Sequence, residues 1–179
     1  MAGRVTAGPV LGPWLTTAAR LVLGGVLVVA GALKVPDPAA AVRSVRAYQA
    51  LPEPLVAPVA FGLPVVEIAI GLALLVGVFV RTAALASAVL LVVFIAGVAS
   101  AWARGLQIDC GCFGGGGQVA ATDTAYPEEL LRDAALLLIA VLVALRPGSR
   151  MALVDRSYPA RKGTPPAGAP AQPEDSHAH

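Results

Sequence analysis

Residues 55–103 read LVAPVAFGLPVVEIAIGLALLVGVFVRTAALASAVLLVVFIAGVASAWA, and this stretch contains only two charged residues, Glu67 and Arg81. A helix needs about 20 apolar residues to cross the hydrocarbon core of a bilayer. Arg81 divides the stretch into segments 55–80 and 82–103, and each segment is long enough to cross. Because open strands cannot satisfy their backbone hydrogen bonds in lipid, both segments are predicted to be transmembrane helices.

Two further apolar segments flank this stretch. One covers residues 15–33 and contains Arg20, and the other covers 130–145 with Arg132 and Asp133 in its first turn. They are long enough to cross only if their charged side chains extend to the membrane interface. We therefore predict an all-α protein whose membrane domain, residues 15–146, is a four-helix transmembrane bundle. The predicted spans are about 15–33, 55–80, 82–103 and 130–145.

The composition agrees with a membrane protein. Of the 179 residues, 57% are apolar and 13% are charged, and the mean hydropathy is +0.76. Soluble domains carry roughly 25% charged residues. A net charge of +2 and 5% aromatic residues supply neither the basic surface nor the stacking side chains that nucleic-acid binding requires. We predict a lipid bilayer as a partner and no nucleic acid.

The segments outside the spans are also predicted. Asp37 is a good helix N-cap and Pro38 a good first helical residue, so we predict a short helix over 38–51 on the outer surface, with a solvated connector as the alternative. Residues 1–14 are predicted to be a cytoplasmic segment. Residues 147–179 are predicted to be a disordered cytoplasmic tail because they are rich in Pro, Ala and polar groups. His177 and His179 lie in that tail, where disorder is favoured over a metal site.

The first apolar segment has a second interpretation. Arg4, Arg20 and the apolar stretch that ends in Ala30-Gly31-Ala32 resemble a signal peptide with its cleavage site. Pro9 and Pro13, together with the position of the apolar stretch well inside the chain, favour a retained helix.

The distribution of Lys and Arg predicts the orientation. Four spans place both termini on one side of the membrane, and that side would hold eight basic residues against five on the other. Both termini are therefore predicted to be cytoplasmic, which places the loop before the fourth span outside. The eight residues are Arg4, Arg20, Arg81, Arg146, Arg150, Arg156, Arg161 and Lys162, and the five are Lys34, Arg43, Arg46, Arg104 and Arg132.

The two cysteines, Cys110 and Cys112, flank Gly111 in this outer loop. Disulfides persist outside the cytoplasm, and strained, exposed disulfides have more oxidising potentials than buried ones, so a redox-active pair is favoured. Three alternatives stay open. A structural disulfide would close so short a loop that it stabilises by only roughly 1.5 kcal/mol. A metal site would need the thiolates of a second copy, and the cysteines could be inert.

Asp109 bears on which cysteine attacks. A neighbouring negative charge disfavours a thiolate, so Asp109 is expected to disfavour the thiolate of Cys110. Cys112 is therefore the predicted attacking thiolate and Cys110 the resolving one. The glycines at 114–117 are expected to provide mobility.

Glu67 is the second candidate site. An ionisable residue within a span costs about 2.5–3.5 kcal/mol on insertion scales and usually faces a partner inside the protein. We place Glu67 in the outer half of its span, within reach of Lys34 at the end of the first span and Arg132 at the start of the fourth. A structural ion pair that clamps the bundle is favoured, and a proton or quinone site near the cysteines is the alternative.

Four motifs combine these residues: Gly31-Ala32-Leu33-Lys34, Pro64-Val65-Val66-Glu67 followed by Gly71, Cys110-Gly111-Cys112-Phe113-Gly114, and Leu131-Arg132-Asp133. Together they resemble the methylamine-utilisation protein MauE family, which belongs with the DoxX-like membrane proteins. The resemblance covers about residues 15–145, and the Cys-Gly-Cys-Phe-Gly element is its most specific part.

The resemblance implies a bundle in the bacterial cytoplasmic membrane that supports redox maturation of extracytoplasmic proteins beside a thioredoxin-like partner. It assigns Cys110 and Cys112 as the redox pair and Lys34, Glu67 and Arg132 as a polar cluster. It also implies methylamine dehydrogenase, whose small subunit is rich in disulfides, as the client. A single cysteine pair must pass electrons directly to a quinone or to another protein. The alternative function is a non-catalytic membrane subunit or scaffold of a quinone-linked oxidoreductase complex.

Overall fold

A computed structural model describes residues 13–111, 115–120 and 124–145. Within these residues it contains five helices and two short strands, in the order α1 (Pro13–Lys34), α2 (Pro38–Ala47), α3 (Glu53–Val76), α4 (Val80–Ala103), β1 (Ile108–Asp109), β2 (Gly117–Gln118) and α5 (Tyr126–Leu145). The predictions for the N-terminal segment before residue 13, for Cys112 and for the tail with His177 and His179 concern residues outside this part of the chain.

Four of the helices contact one another in a ring, α1 with α3, α3 with α4, α4 with α5 and α5 with α1. Three of them, α1, α3 and α4, are long and apolar enough to cross a membrane, so the chain is a multi-pass membrane protein. Large apolar side chains such as Val65 and Val89 stay exposed on their outer faces, as lipid-facing residues do. The fourth helix, α5, has Glu128, Glu129, Arg132 and Asp133 near its start and is not among the three. Its crossing therefore stays a prediction.

Among the described helices, α1 and α3 share the most extensive contact, and glycines make it possible. A Cβ atom on Gly71 would lie 2.7 Å from the carbonyl oxygen of Gly24, and one on Gly24 would lie 2.9 Å from that of Gly71. Nearer the end of α1, a Cβ atom on Gly31 would lie 2.8 Å from the carbonyl oxygen of Pro64. Small residues let membrane helices approach until their backbones touch. These three glycines therefore set the spacing of α1 and α3.

The break between α3 and α4 comes earlier than the sequence suggested. Gly77 adopts a left-handed conformation (φ +82°), and the amides of Gly77 and Val78 both donate to the carbonyl of Ala73. This arrangement ends a helix by satisfying its last carbonyls. The predicted second span reached residue 80, whereas α4 already begins at Val80.

Arg20, which the sequence places in the first span, is buried within the protein. It is 1% exposed, and among the described residues its Nε and Nη1 atoms have no hydrogen-bond partner. Leu23 and Leu27 follow it three and seven residues later on the same helical face, and both belong to the core. The face that packs α1 into the protein therefore carries Arg20 inward.

The loop before α5 contains a short antiparallel pair of strands, which the all-α prediction did not include. Ile108 is paired with Gln118 and Asp109 with Gly117. Strands of two residues are too short to produce an alternating pattern in the sequence. By contrast, α2 begins where its cap residues predict, because the Asp37 side chain accepts a hydrogen bond of 2.8 Å from the amide of Ala40. It ends at Ala47, earlier than the predicted residue 51.

Candidate functional site

A cavity of about 360 Å³ lies at one end of the protein, where α2 and the hairpin meet the ends of the long helices. Its lining is mostly apolar and comes from α1, α2, α3, α4 and the hairpin. Lys34 and Cys110 both line it, together with Tyr48, Phe94 and Gly111. Two of the predicted site residues therefore face one shared space.

The acid in the second span pairs with the base at the end of the first. Lys34 Nζ donates to both carboxylate oxygens of Glu67, at 2.6 and 2.8 Å. The Glu67 side chain is completely buried and that of Lys34 is 8% exposed. Lys34 Nζ also lies 5.5 Å from the centre of the Phe94 ring, within range of a cation–π interaction. A buried, doubly hydrogen-bonded pair joins α1 to α3.

Glu67 lies just past the middle of α3. Lys34 is the last residue of α1, where the negative end of the helix dipole favours a cation. Its long side chain reaches back along the helix to Glu67. Gly31, one turn earlier, already lies close to α3, since a Cβ atom there would be 3.3 Å from Cβ of Glu67.

Arg132 interacts with a different set of residues. Its Nε donates to Asp133 at 3.0 Å, and its Nη2 lies 3.9 Å from the sulfur of Cys110. The predicted polar cluster of three is therefore seen as two groups, Lys34 with Glu67 and Arg132 with Asp133 and Cys110. The guanidinium beside the sulfur favours a thiolate at Cys110. Arg132 thus opposes Asp109, which the sequence led us to expect would disfavour that thiolate.

The backbone around Cys110 is held in place by several hydrogen bonds. Tyr48 donates its hydroxyl to the carbonyl of Cys110 at 3.2 Å, and the amide of Gly111 donates to Asp109 at 3.1 Å. Gly111 has φ +67°, a left-handed conformation that favours glycine. The Cys110 thiol is therefore presented from an ordered turn at the rim of the cavity.

The hairpin is docked on α2 through one buried serine. Ser44 donates its hydroxyl to the carbonyl oxygens of Gly115 and Ala40, each at 2.9 Å. A Cβ atom on Gly111 or Gly116 would lie 2.6 or 1.9 Å from the Ser44 oxygen. Glycine at both positions lets the backbone of the loop lie against Ser44. Gly111 thus lies against the chain's own α2.

Comparison with known families shows which family this chain belongs to. The family described as methylamine utilisation protein MauE matches residues 12–146, which include every helix of the structure described above. The chain belongs to the MauE family. A relative named methylamine utilization protein MauE, from Paracoccus denitrificans, is 47% identical over 73 residues, which is 40% of this chain and 39% of the relative. The chain thus spans less than half the length of that curated relative. No solved structure matches this chain.

This member of the MauE family has two buried carboxylates on α5 that the sequence did not assign to the candidate site, although Asp133 belongs to one of the family motifs. Glu129 is 8% exposed and Asp133 is 3% exposed, and both follow the buried Tyr126 on one face of α5. The Tyr126 hydroxyl donates to the carbonyl of Leu106 at 2.5 Å and accepts from the amide of Ile108 at 3.2 Å. A spacing of three and then four residues is the helical signal that predicts one shared face.

The docking of the hairpin in this MauE-family protein predicts the effect of a small change. Replacing Gly116 with alanine should displace the hairpin from α2, because the new Cβ would collide with Ser44 and the backbone has φ +89°. We expect Cys110 to react faster with a maleimide in the purified protein. Gly105→Ala is the matched control, since Gly105 has φ +66° and open space around it. Equal labelling rates in the two variants would contradict this account of the loop.

Proposed function

We propose that this MauE-family protein carries out thiol–disulfide exchange through Cys110 and Cys112 on the extracytoplasmic side of the bacterial cytoplasmic membrane. The observation that carries the proposal is the position of the Cys110 sulfur. It lies beside the Arg132 guanidinium, at the rim of an apolar cavity that Lys34 also lines. A thiolate stabilised by a cation is the form that attacks and leaves in exchange. The role of Cys112 is inferred from the sequence alone.

The exchange proceeds in two steps. A thiolate of a thioredoxin-like partner attacks one sulfur of the Cys110–Cys112 disulfide, and the other sulfur leaves as a thiolate. A second thiolate of the partner then attacks the mixed disulfide and releases the partner with its own disulfide. Two electrons have passed from the partner to this chain, whose cysteines are now both reduced. Arg132 would stabilise negative charge on Cys110 during these steps.

The cavity suits a quinone as the acceptor of these electrons. Its volume is at the small end of the range of ligand pockets, about 300–1,000 Å³, and its lining is mostly apolar with few polar groups. A quinone would accept two electrons and two protons. Lys34 would orient a carbonyl oxygen of the quinone, and Cys110 lines the same cavity. The Lys34–Glu67 pair would thereby combine its structural role with a binding role.

The membrane arrangement is part of the proposal. We propose that α5 also crosses the bilayer and completes a DoxX-like four-helix bundle, in which α2, the hairpin and the cavity face outward. The ring of contacts among α1, α3, α4 and α5 supports this. The name of the Paracoccus denitrificans relative refers to methylamine utilisation. We extend that role to this chain, with the disulfide-rich small subunit of methylamine dehydrogenase as the proposed client.

Oxidation of the purified protein tests the exchange chemistry. We expect the reduced chain in lipid vesicles to lose both thiols together when a short-chain ubiquinone is added, as counted by maleimide mass labelling. Cys110→Ser and Cys112→Ser should each retain their one thiol, and Arg132→Gln should react more slowly. Arg81→Gln is the control, because Arg81 is exposed near the start of α4 and does not line the cavity. Persistence of both thiols in the unaltered chain would favour the scaffold function. A membrane-impermeant maleimide applied to reduced whole cells tests on which side of the membrane the cysteines lie.

A further inference from the structure

Cys110 also belongs to a second group of side chains, which does not include Lys34 or Glu67. Asp109, Cys110 and Glu129 each offer one ligand atom, and these three atoms all lie within 4.8 Å of one another. Asp109 is the last residue of β1, and Glu129 lies in the first turn of α5. The fold thus brings two carboxylates and a thiol together from elements that are well separated in the sequence.

Glu129 indicates independently that a cation belongs here. Its side chain is more than nine-tenths buried, and among the described residues its Oε2 atom has no hydrogen-bond donor. One turn further along α5, Oδ2 of the buried Asp133 also lacks a donor. A buried carboxylate oxygen is costly unless it is hydrogen-bonded, paired with a charge or bound to a metal. The two carboxylate oxygens, one from Glu129 and one from Asp133, lie on one face of α5 and lack such a partner within the described part of the chain.

The charges around Asp109, Cys110 and Glu129 also favour a bound cation. Asp109, Glu129 and Asp133 bring three carboxylates, and Cys110 can add a thiolate. Arg132 contacts Asp133 and Cys110 and offsets one of these charges. Lys34 is already paired with Glu67. Among the described residues, the group therefore has an excess of negative charge in a partly buried place.

We propose that Asp109, Cys110 and Glu129 form a binding site for a divalent transition-metal ion of the Zn²⁺ class. Zn²⁺ binds thiolates and carboxylates together, whereas Mg²⁺ and Ca²⁺ prefer oxygen ligands alone. Binding breaks the S–H bond of Cys110, forms a sulfur–metal bond and releases the proton to solvent, without any change of oxidation state. A Cys110–Cys112 disulfide would remove the thiolate ligand, so the site belongs to the reduced protein.

This site differs from the one that the sequence suggested, in which a second copy would supply further thiolates. Here the carboxylates of the same chain provide the remaining ligands. The proposal does not depend on thiol–disulfide exchange, because it requires only that Cys110 be reduced. A protein that fails to react with quinones could still bind the metal.

Cobalt binding to the full chain tests the site. The protein is held in detergent micelles and reduced with a phosphine, and Co²⁺ is added while the thiolate-to-cobalt charge-transfer absorption is recorded. We expect one equivalent to bind and Zn²⁺ to displace it. Cys110→Ser should abolish the band. Glu129→Gln and Asp109→Asn should each weaken binding by at least about tenfold, since even outer-shell partners contribute 10–100-fold.

Three controls make the result specific. Glu128→Gln changes the exposed neighbour of Glu129 and should leave the affinity unchanged. Cys112→Ser should keep the band, and so should a His177→Ala, His179→Ala variant of the tail. Equal affinity in the Glu129→Gln and Glu128→Gln proteins would overturn the proposal, as would a band that depends on Cys112 or on the tail histidines. The helical circular dichroism of each variant establishes that it is folded.

Discussion

Glu67→Gln should destabilise the folded protein by about 3–5 kcal/mol, the cost of removing one partner from a buried ion pair. The change leaves the Lys34 ammonium without its counter-charge in a place where that side chain is 8% exposed. An uncompensated charge in a low-dielectric interior is far more costly than one in water. The free energy of unfolding in mixed detergent micelles, followed by helical circular dichroism, measures the effect.

A matched pair of variants separates this effect from general damage to α3. Glu53→Gln removes the exposed pair with Arg46, whose side chains are 54% and 65% exposed, and should change stability little because water screens that pair. The double variant Lys34→Met, Glu67→Leu should recover most of the stability, since apolar residues of similar size often replace a buried pair without loss. A Glu67→Gln protein as stable as Glu53→Gln would show that the pair does not clamp the helices.

The second large effect is expected at the contact between α1 and α3. Gly71→Leu should destabilise the protein towards the upper end of the roughly 1–3 kcal/mol that overpacking costs. Even the Cβ atom would lie 2.7 Å from a backbone oxygen of Gly24 and 2.9 Å from the amide nitrogen of Val28. Backbone atoms cannot rotate away as a flexible side chain can. The helices would have to separate, and the Lys34–Glu67 pair would be disturbed with them.

Gly62 provides the control on the same helix. A side chain there meets nothing within 4 Å, so Gly62→Leu should be tolerated and should even gain helix propensity. The same unfolding assay compares the two proteins. If Gly62→Leu lost as much stability as Gly71→Leu, the loss would be due to removing glycine from α3 in general and not to the contact with α1.

Much of the fold could be predicted from residue types alone. Apolar stretches of sufficient length must form helices in lipid, and they do so at α1, α3 and α4. The position of α2 followed from Asp37 and Pro38, because a cap acts on neighbouring residues. The hairpin did not follow, since its strands are too short to give a pattern and its hydrogen bonds to Tyr126 and Ser44 come from other elements.

The sequence predicted most of the residues that form the site, but it did not predict which of them pair with one another. The sequence indicated that Glu67 needs a cation and offered Lys34 and Arg132 as candidates. Choosing between them required knowing how α1 and α5 sit around α3. The burial of Glu129, by contrast, could have been predicted from its spacing to Tyr126 and Asp133. That signal is weak in a short first turn, where acidic residues are common because the helix dipole favours them.

The sequence by itself determined that this is a membrane protein, that its two cysteines lie in a loop between apolar helices, and that it resembles the MauE family. These properties follow from residue types and short spacings, which a linear chain already contains. Only the tertiary structure decided that Lys34 binds Glu67, that Arg132 lies beside Cys110 and that Arg20 faces inward. It also decided which glycines carry the contact of α1 with α3. Each of these depends on how helices rotate and approach one another, and that is set by packing between residues distant in the chain.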